Sequence, residues 1–402
     1  MKNGLRVFVY PTPYLESICV AVGVNYGSID DRDEIIGSAH FLEHMLFKGT
    51  KSRDAKQIKE EIRNMGAMWN AQTDFETTIY YLQAYKTNFR KMVELLSDLI
   101  INSTIPKKEF ELERGPVLNE ELIRQDNSQF FFYDHVPQAL FKKHPVGRKI
   151  VGNRESINRI RREDLLEIYD TYYSPKNIVV TIYGNVDTNE ARLLVMENFG
   201  GFARKYTKKV RKIAAEPQTN SEKVVRKENV KQSIVAIGYK TQELNISRLG
   251  EYAAMLTASL ILTNRLWDEV RERRGLSYSQ WSRYLAYSTF GFMGAVVGTE
   301  HAKVGEVKKL ILKEFERLEN GEISEIEVKR AKQSLVSQYM ILRENTFNMA
   351  FSTTIFALMT GNYKFMETLP ELIKKVKLAD VKKYCKKYIK TESYSSVILK
   401  PE

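Results

Sequence analysis

The sequence predicts an α+β fold built twice: two duplicated domains, each a mainly antiparallel sheet with helices packed on one face. Three observations predict it. At 402 residues the chain is too long for one ordinary core and suits two domains of about 200 residues. Segments also recur. Val20-Ala21-Val22-Gly23 is echoed by Val235-Ala236-Ile237-Gly238 at an offset of 215, and Asp164–Tyr172 with the strand Ile178–Ile182 is echoed by Asp380–Tyr388 with Val397–Leu399 at an offset of 216. Two echoes at nearly one offset mark a duplicated unit. Finally, apolar strand-like runs come close together while long amphipathic helices intervene, the pattern of helices laid on an antiparallel sheet.

In chain order, Leu5–Tyr10 and Ile18–Tyr26 are strand-like, and Ser38–Phe47 is helical. Ala55–Met65 is an amphipathic helix, Thr77–Ala84 a strand and Lys86–Asn102 a helix. Glu109–Arg124 has helical patterning, with Pro116 arguing for a kink or a local start. Arg161–Tyr172 is the next helix. The basic stretch Arg204–Val224, with Pro217, is the expected linker, giving domains 1–210 and 225–402.

Composition narrows the function. The longest apolar stretches, such as Ile18–Val24, fall far short of the span of a bilayer, which needs ~20 residues. Met1–Arg6 lacks the apolar core of a signal peptide. Cys19 and Cys385 lie in opposite halves, which argues against a disulfide framework or a Cys-type metal site. A cytoplasmic protein without membrane partners is expected. The net charge of +12 would suit a nucleic-acid binder, but lysines alternate with glutamates over Lys56–Glu61 and Glu306–Glu319. That is the pattern of solvated helix faces, so no nucleic-acid partner is expected.

The chemistry is concentrated in Ser38-Ala39-His40-Phe41-Leu42-Glu43-His44-Met45-Leu46-Phe47. On a helix, positions i, i+3 and i+4 share one face. His40 and His44 therefore stand one turn apart with Glu43 between them, an H-x-x-E-H pattern able to grip one Zn2+ and set a carboxylate beside it. Two of the five histidines lie here, among apolar neighbours that suit a half-buried site. A catalytic zinc needs a third ligand. Glu113 and Glu120, two turns apart on an acidic helix, share a face. On spacing alone, a solvated acidic helix is the better reading.

His40 through Thr50 resembles the signature of the pitrilysin-type inverzincin metallopeptidases, in the branch similar to the mitochondrial processing peptidase. Glu113-Arg114-Gly115-Pro116-Val117-Leu118-Asn119-Glu120-Glu121 is similar to their second motif. Trp69-Asn70-Ala71-Gln72-Thr73 resembles their substrate-pairing edge strand, and Arg271 through Tyr278 their R-x6-Y element. Ala258–Asn264 departs from the glycines and serines common there, leaving the shape of one helix start open. The resemblance implies Glu120 as third zinc ligand, Glu43 as general base toward a zinc-bound water, and Glu113 as an essential non-ligating carboxylate. It implies that Tyr278 and Arg271 serve the oxyanion and the substrate backbone, and that Asn70, Ala71 and Thr73 lie along a bound peptide. It further implies peptide substrates, a closed chamber of four such domains, and hence a homodimer with composite sites.

Overall fold

A computed structural model of the chain describes residues 1–124, 128–205, 211, 216–228 and 230–402. The first half runs β1 (Arg6–Pro11), β2 (Ser17–Val24), α1 (Ser38–Met45), α2 (Ala55–Asn64), β3 (Met68–Thr73), β4 (Thr78–Tyr85), α3 (Phe89–Asn102), α4 (Lys107–Arg124), α5 (Ser128–Leu140), α6 (Arg154–Arg159), α7 (Arg162–Tyr172), β5 (Ile178–Gly184) and α8 (Thr188–Phe199). The second half repeats much of this order: β6 (Ser221–Lys227), β7 (Ser233–Thr241), α9 (Leu249–Leu266), β8 (Gln280–Ala286), β9 (Gly291–Thr299), α10 (Val304–Glu319), α11 (Glu325–Leu342), α12 (Thr346–Thr360), α13 (Phe365–Lys375), α14 (Leu378–Tyr388) and β10 (Ser395–Pro401). Within the expected linker, 206–210 and 212–215 lie outside the described residues, and Ser221–Val224 belongs to β6.

The two sheets have one topology, β1-β5-β2-β4-β3 and β6-β10-β7-β9-β8. The first strand of each pairs in parallel with the last, and the remaining pairings are antiparallel. The sequence echoes fall at matching places. Val22 lies between Val180 and Tyr80, and Ile237 lies between Ser396 and Ala295. The echoed helices start alike: Asp164 accepts from the Arg161 amide at 2.9 Å and Asp380 from the Lys377 amide at 3.0 Å. Each carboxylate thus satisfies an amide left free at a helix start.

In β2, period-two alternation separates large from small side chains. Ile18, Val20, Val22 and Val24 join one core with residues of α1, α3, α4, α7 and α8. Cys19, Ala21 and Gly23 face the other way, where a Cβ on Gly23 would lie 2.3 Å from Thr354. That face is covered by α12, whose Thr354 donates to Thr181 at 2.8 Å. Reciprocally, Gly238 and Gly294 of the second sheet leave room for Val136, Leu140 and Phe132 of α5. The duplicated α+β arrangement is present, with helices on both faces of each sheet: the small residues on the second face admit a helix from the other half of the sequence.

The compact units are accordingly not the contiguous 1–210 and 225–402. One comprises Met1–Leu122, Lys149–Val210 and Met340–Met366, the other Ile123–Arg148, Arg211–Tyr339 and Glu367–Glu402. α4 runs unbroken through Pro116 instead of restarting there, with Phe110, Glu113 and Val117 packed on its inner side. Ala258–Asn264 lies in the interior of α9 and not at a helix start. No described helix is long and apolar enough to cross a membrane.

Candidate metal centre

The site is built in the first unit, on α1. This helix has no side-chain cap of its own at Gly37. Asp31 supplies the cap from the preceding turn: it accepts from the amides of Gly37 (2.7 Å) and Ala39 (3.0 Å) and from the hydroxyls of Ser38 (2.8 Å) and Tyr26 (3.1 Å). A carboxylate here also complements the positive end of the helix dipole. Gly37 has φ 97°, and a Cβ there would meet the Val151 carbonyl at 2.6 Å, so the entry to α1 needs glycine. The start of the helix at Ser38 is thereby fixed two residues before His40.

His40, His44 and Glu120 form the one cluster of metal-binding side chains among the described residues, their ligand atoms within 4.8 Å of one another. The Glu120 Oε2 atom lies 3.4 Å from Nε2 of each imidazole. Ligand atoms about 2.0–2.2 Å from a tetrahedral zinc stand about 3.4 Å from each other, so the donor set fits that ion in spacing as well as in chemistry. His44 Nδ1 is hydrogen-bonded to Glu113 Oε1 at 3.0 Å, which leaves Nε2 as its donor toward a metal. The other Glu113 oxygen is ion-paired with Lys48. His40 Nδ1 is buried without a described partner.

Glu43 lies on the same helix but outside the ligand cluster. Its Oε2 accepts a hydrogen bond from Thr73 at 2.5 Å, and both side chains are buried. Thr73 ends the edge strand β3, and its hydroxyl points toward Glu43. Ala71 is buried on the same face of β3, and Asn70 is exposed on the opposite one. Arg271 and Tyr278 belong to the second unit. Arg271 lies 4.2 Å from the Trp267 ring and 5.8 Å from the Tyr278 ring, and Tyr278 is 90% exposed.

Charge is concentrated in the metal-free cluster. Burial alone lowers the His44 imidazole, but its hydrogen bonds to Glu113 and Glu120 prevail and push it up to about 9. Burial works upward on Glu120, and the two imidazoles prevail, holding its carboxyl well below the usual range. Glu113 is lowered in the same manner, by His44 and Lys48 against burial. Such opposed shifts follow from imidazoles and carboxylates held at hydrogen-bond distance out of water. The three remaining histidines have local contacts: His144 Nδ1 accepts from the Val146 amide, His301 Nδ1 pairs with Ser233, and the His135 ring packs on Phe131.

Residues 6–154 match the family model described as "Insulinase (Peptidase family M16)", and residues 159–335 match "Peptidase M16 inactive domain". The chain is 30% identical over 421 residues to the beta subunit of the mitochondrial-processing peptidase of Mus musculus, covering 100% of this chain and 83% of that protein. The chain belongs to peptidase family M16. Among other M16-like relatives, a protein of Bacillus subtilis named as an uncharacterized zinc protease is 26% identical over 100% of this chain and 97% of its own length. The fold is that of a protease from Helicobacter pylori, with a TM-score of 0.91 at 23% identity, covering 100% of this chain and 98% of the other. Membership in M16 and the His-His-Glu cluster fit zinc binding. The sequence alone did not give Asp31 its capping role, Lys48 its ion pair with Glu113, or Thr73 its bond to Glu43.

Proposed function

We propose that this chain is a zinc-dependent endopeptidase acting on unfolded or short peptides, with His40, His44 and Glu120 as ligands and Glu43 as general base. The observation that carries the reading is the convergence of two imidazole nitrogens and one carboxylate oxygen at zinc spacing, in a chain of family M16. Zinc held by such a set supplies a Lewis acid and lowers the pKa of water to about 7. Thr73 holds Oε2 of Glu43, which leaves Oε1 to take a proton from the attacking water and hand it to the leaving amine. Glu113 fixes the orientation of His44 through Nδ1. An extended peptide pairs with the edge strand β3 by main-chain hydrogen bonds, which give affinity with little sequence demand.

Arg271 and Tyr278 complete the reading as donors to the substrate backbone and the oxyanion, where one preorganised donor is worth roughly 3 kcal/mol. In the homodimeric form of the proposal, they serve the metal site of a second copy across a closed chamber.

Elemental analysis and a peptide-cleavage assay test the centre together. Glu43→Gln keeps one zinc per chain and loses hydrolysis, while His44→Ala loses both. Near-normal turnover by Glu43→Gln overturns the assignment of the base. For the composite site, His40→Ala and Arg271→Ala chains, each inactive alone, regain part of the activity when refolded together. No recovery in demonstrated mixed dimers means that each site is built within one chain.

A further inference from the structure

We propose that Lys48 is a positioning residue for the metal centre, acting through Glu113. The inference rests on the zinc reading above and adds a residue to it. Lys48 closes the single turn Leu46–Lys48 that follows α1, so it is tied to the helix that carries His40, Glu43 and His44. Its ammonium pairs with Oε2 of Glu113, whose Oε1 meets His44 Nδ1 at 3.0 Å. Both members of the ion pair are largely shielded, the Lys48 side chain 17% exposed and that of Glu113 11%. Glu113 thus has each oxygen committed to one partner, and both partners belong to one short stretch of chain.

The geometry matters because three carboxylates crowd the site. Glu113 and Glu120 both contact His44, Glu43 precedes it on α1, and only Glu120 lies in the ligand cluster. A carboxylate with one oxygen free could rotate off His44 and turn toward a dication. Lys48 anchors the free end. It holds Glu113 as the acceptor that selects the Nδ1–H form of His44, so that Nε2 stays the metal donor.

A charge-only role and an orienting role predict different outcomes in a double-mutant cycle. Removing the Lys48 cation from this acidic site would, by loss of Coulomb repulsion alone, tighten zinc. Loss of orientation loosens it. The measurement is zinc affinity of the full chain by competition with a fluorescent chelator, for the natural chain, Lys48→Met, Lys48→Arg, Glu113→Gln and the double variant Lys48→Met/Glu113→Gln. Lys48→Met is expected to weaken zinc by roughly 10- to 100-fold, the usual effect of losing an outer-sphere partner. Lys48→Arg stays within about threefold of the natural chain because its fork still reaches a carboxylate oxygen. The double variant behaves as Glu113→Gln alone, since Lys48 then has nothing to hold. With zinc saturating, Lys48→Met lowers kcat and leaves KM within about twofold.

Zinc binding by Lys48→Met as tight as the natural chain, or tighter, overturns the proposal. So does a double variant that returns to natural affinity, which assigns the pair a charge role only. A natural chain that binds no zinc sinks the metal reading first and this inference with it. Should the methionine lower the melting temperature of the metal-free protein, Lys48→Gln, compared in the same cycle, gives the same test.

Discussion

The two units place a helix against an edge strand in the same way and use the contact differently. Following the sheet registers outward, Val22 leads through Tyr80 to Ala71 of β3, and Ile237 leads through Ala295 to Ser282 of β8. In the second unit, α9 closes on its edge strand: the Ser282 amide donates to Thr263 Oγ1 at 2.9 Å, and the Ser282 hydroxyl donates to the Ser259 carbonyl at 2.5 Å. In the first unit, the contact between edge strand and helix is Thr73 to Glu43, and no bond from the helix to the Ala71 amide is described. The helices α4 and α11, 18 residues each, tell the same story when laid end to end. Arg114 donates to the Ile160 carbonyl and Lys332 to the Val376 carbonyl, which fixes the alignment. Ala331 then stands opposite Glu113 and Gln338 opposite Glu120. On the proposed reading, the duplicated scaffold uses one copy of this corner for structure and the other, beside the edge strand β3, for chemistry.

The largest effect should come from the ligands themselves. Glu120→Gln is expected to weaken zinc by more than the roughly 100-fold of an outer-sphere change. Gln338→Glu, at the matching place, leaves the stoichiometry at one zinc per chain by elemental analysis. A second bound zinc would mean that the two corners differ less than their side chains suggest.

Next in size is the strand-to-helix bond. Thr73→Val removes a donor to a carboxylate, a bond worth about 1.5–3 kcal/mol, and is expected to lower kcat about 10- to 100-fold. Ser282→Ala leaves kcat unchanged and costs about 1 kcal/mol in denaturant unfolding. Equal effects on kcat from the two variants would erase the functional contrast.

Acid and alkali should act on different units of the metal-free chain. His44 is raised to about 9 in the fold, so its contribution is complete below its unfolded value near 6.5 and is lost as pH rises through 9. Glu327 of the second unit is lowered to about 2, with Arg265 and Ser324 overcoming its burial. Its contribution is present above its unfolded value near 4.3 and is lost as pH falls through 2. Each is on the order of 2–3 kcal/mol. Melting curves at pH 3, 6 and 9 check both windows, and zinc should remove the alkaline decline. A metal-free chain equally stable at pH 6 and 9 would leave the His44 arrangement without support.

The smallest effect concerns the open edge. Peptides N-methylated at alternate amides lose one or two bonds of about 1 kcal/mol each to β3. Their KM should rise roughly five- to thirtyfold with kcat nearly constant. An unchanged KM would place the peptide elsewhere.

Local periodicity made much of this legible. The face shared by His40, Glu43 and His44 follows from helix geometry, and the ligand pair one turn apart is where that geometry puts it. Four strands of the first sheet, and the echoes between the halves, follow from alternation and from matching segments, while β3 came only from the resemblance. What was not legible depends on partners far along the chain. Thr73 finds Glu43 across 30 residues, and Lys48 finds Glu113 from a different helix. Asp31 serves a helix that starts seven residues later, with an ordinary turn between. Pro116 argued for a break, yet burial of Phe110, Glu113 and Val117 on one side carries α4 through it. Amphipathicity in 128–140 and 346–360 cannot say which sheet will receive each helix, because an apolar stripe fits any apolar face.

That exchange of α5 and α12 has a consequence for synthesis. Domains leaving the ribosome generally fold in order of emergence. Here the sheet bearing the metal corner is complete in its strands once Gly184 has appeared, but Cys19, Ala21 and Gly23 on its second face wait for Thr354 and Leu358. Until residue 360 is made, the nascent chain carries one bare sheet face, and α5 carries an apolar stripe with no sheet to receive it. The two halves must therefore mature together, and a chain interrupted between them should yield two fragments that are each insoluble alone and rescued by co-expression.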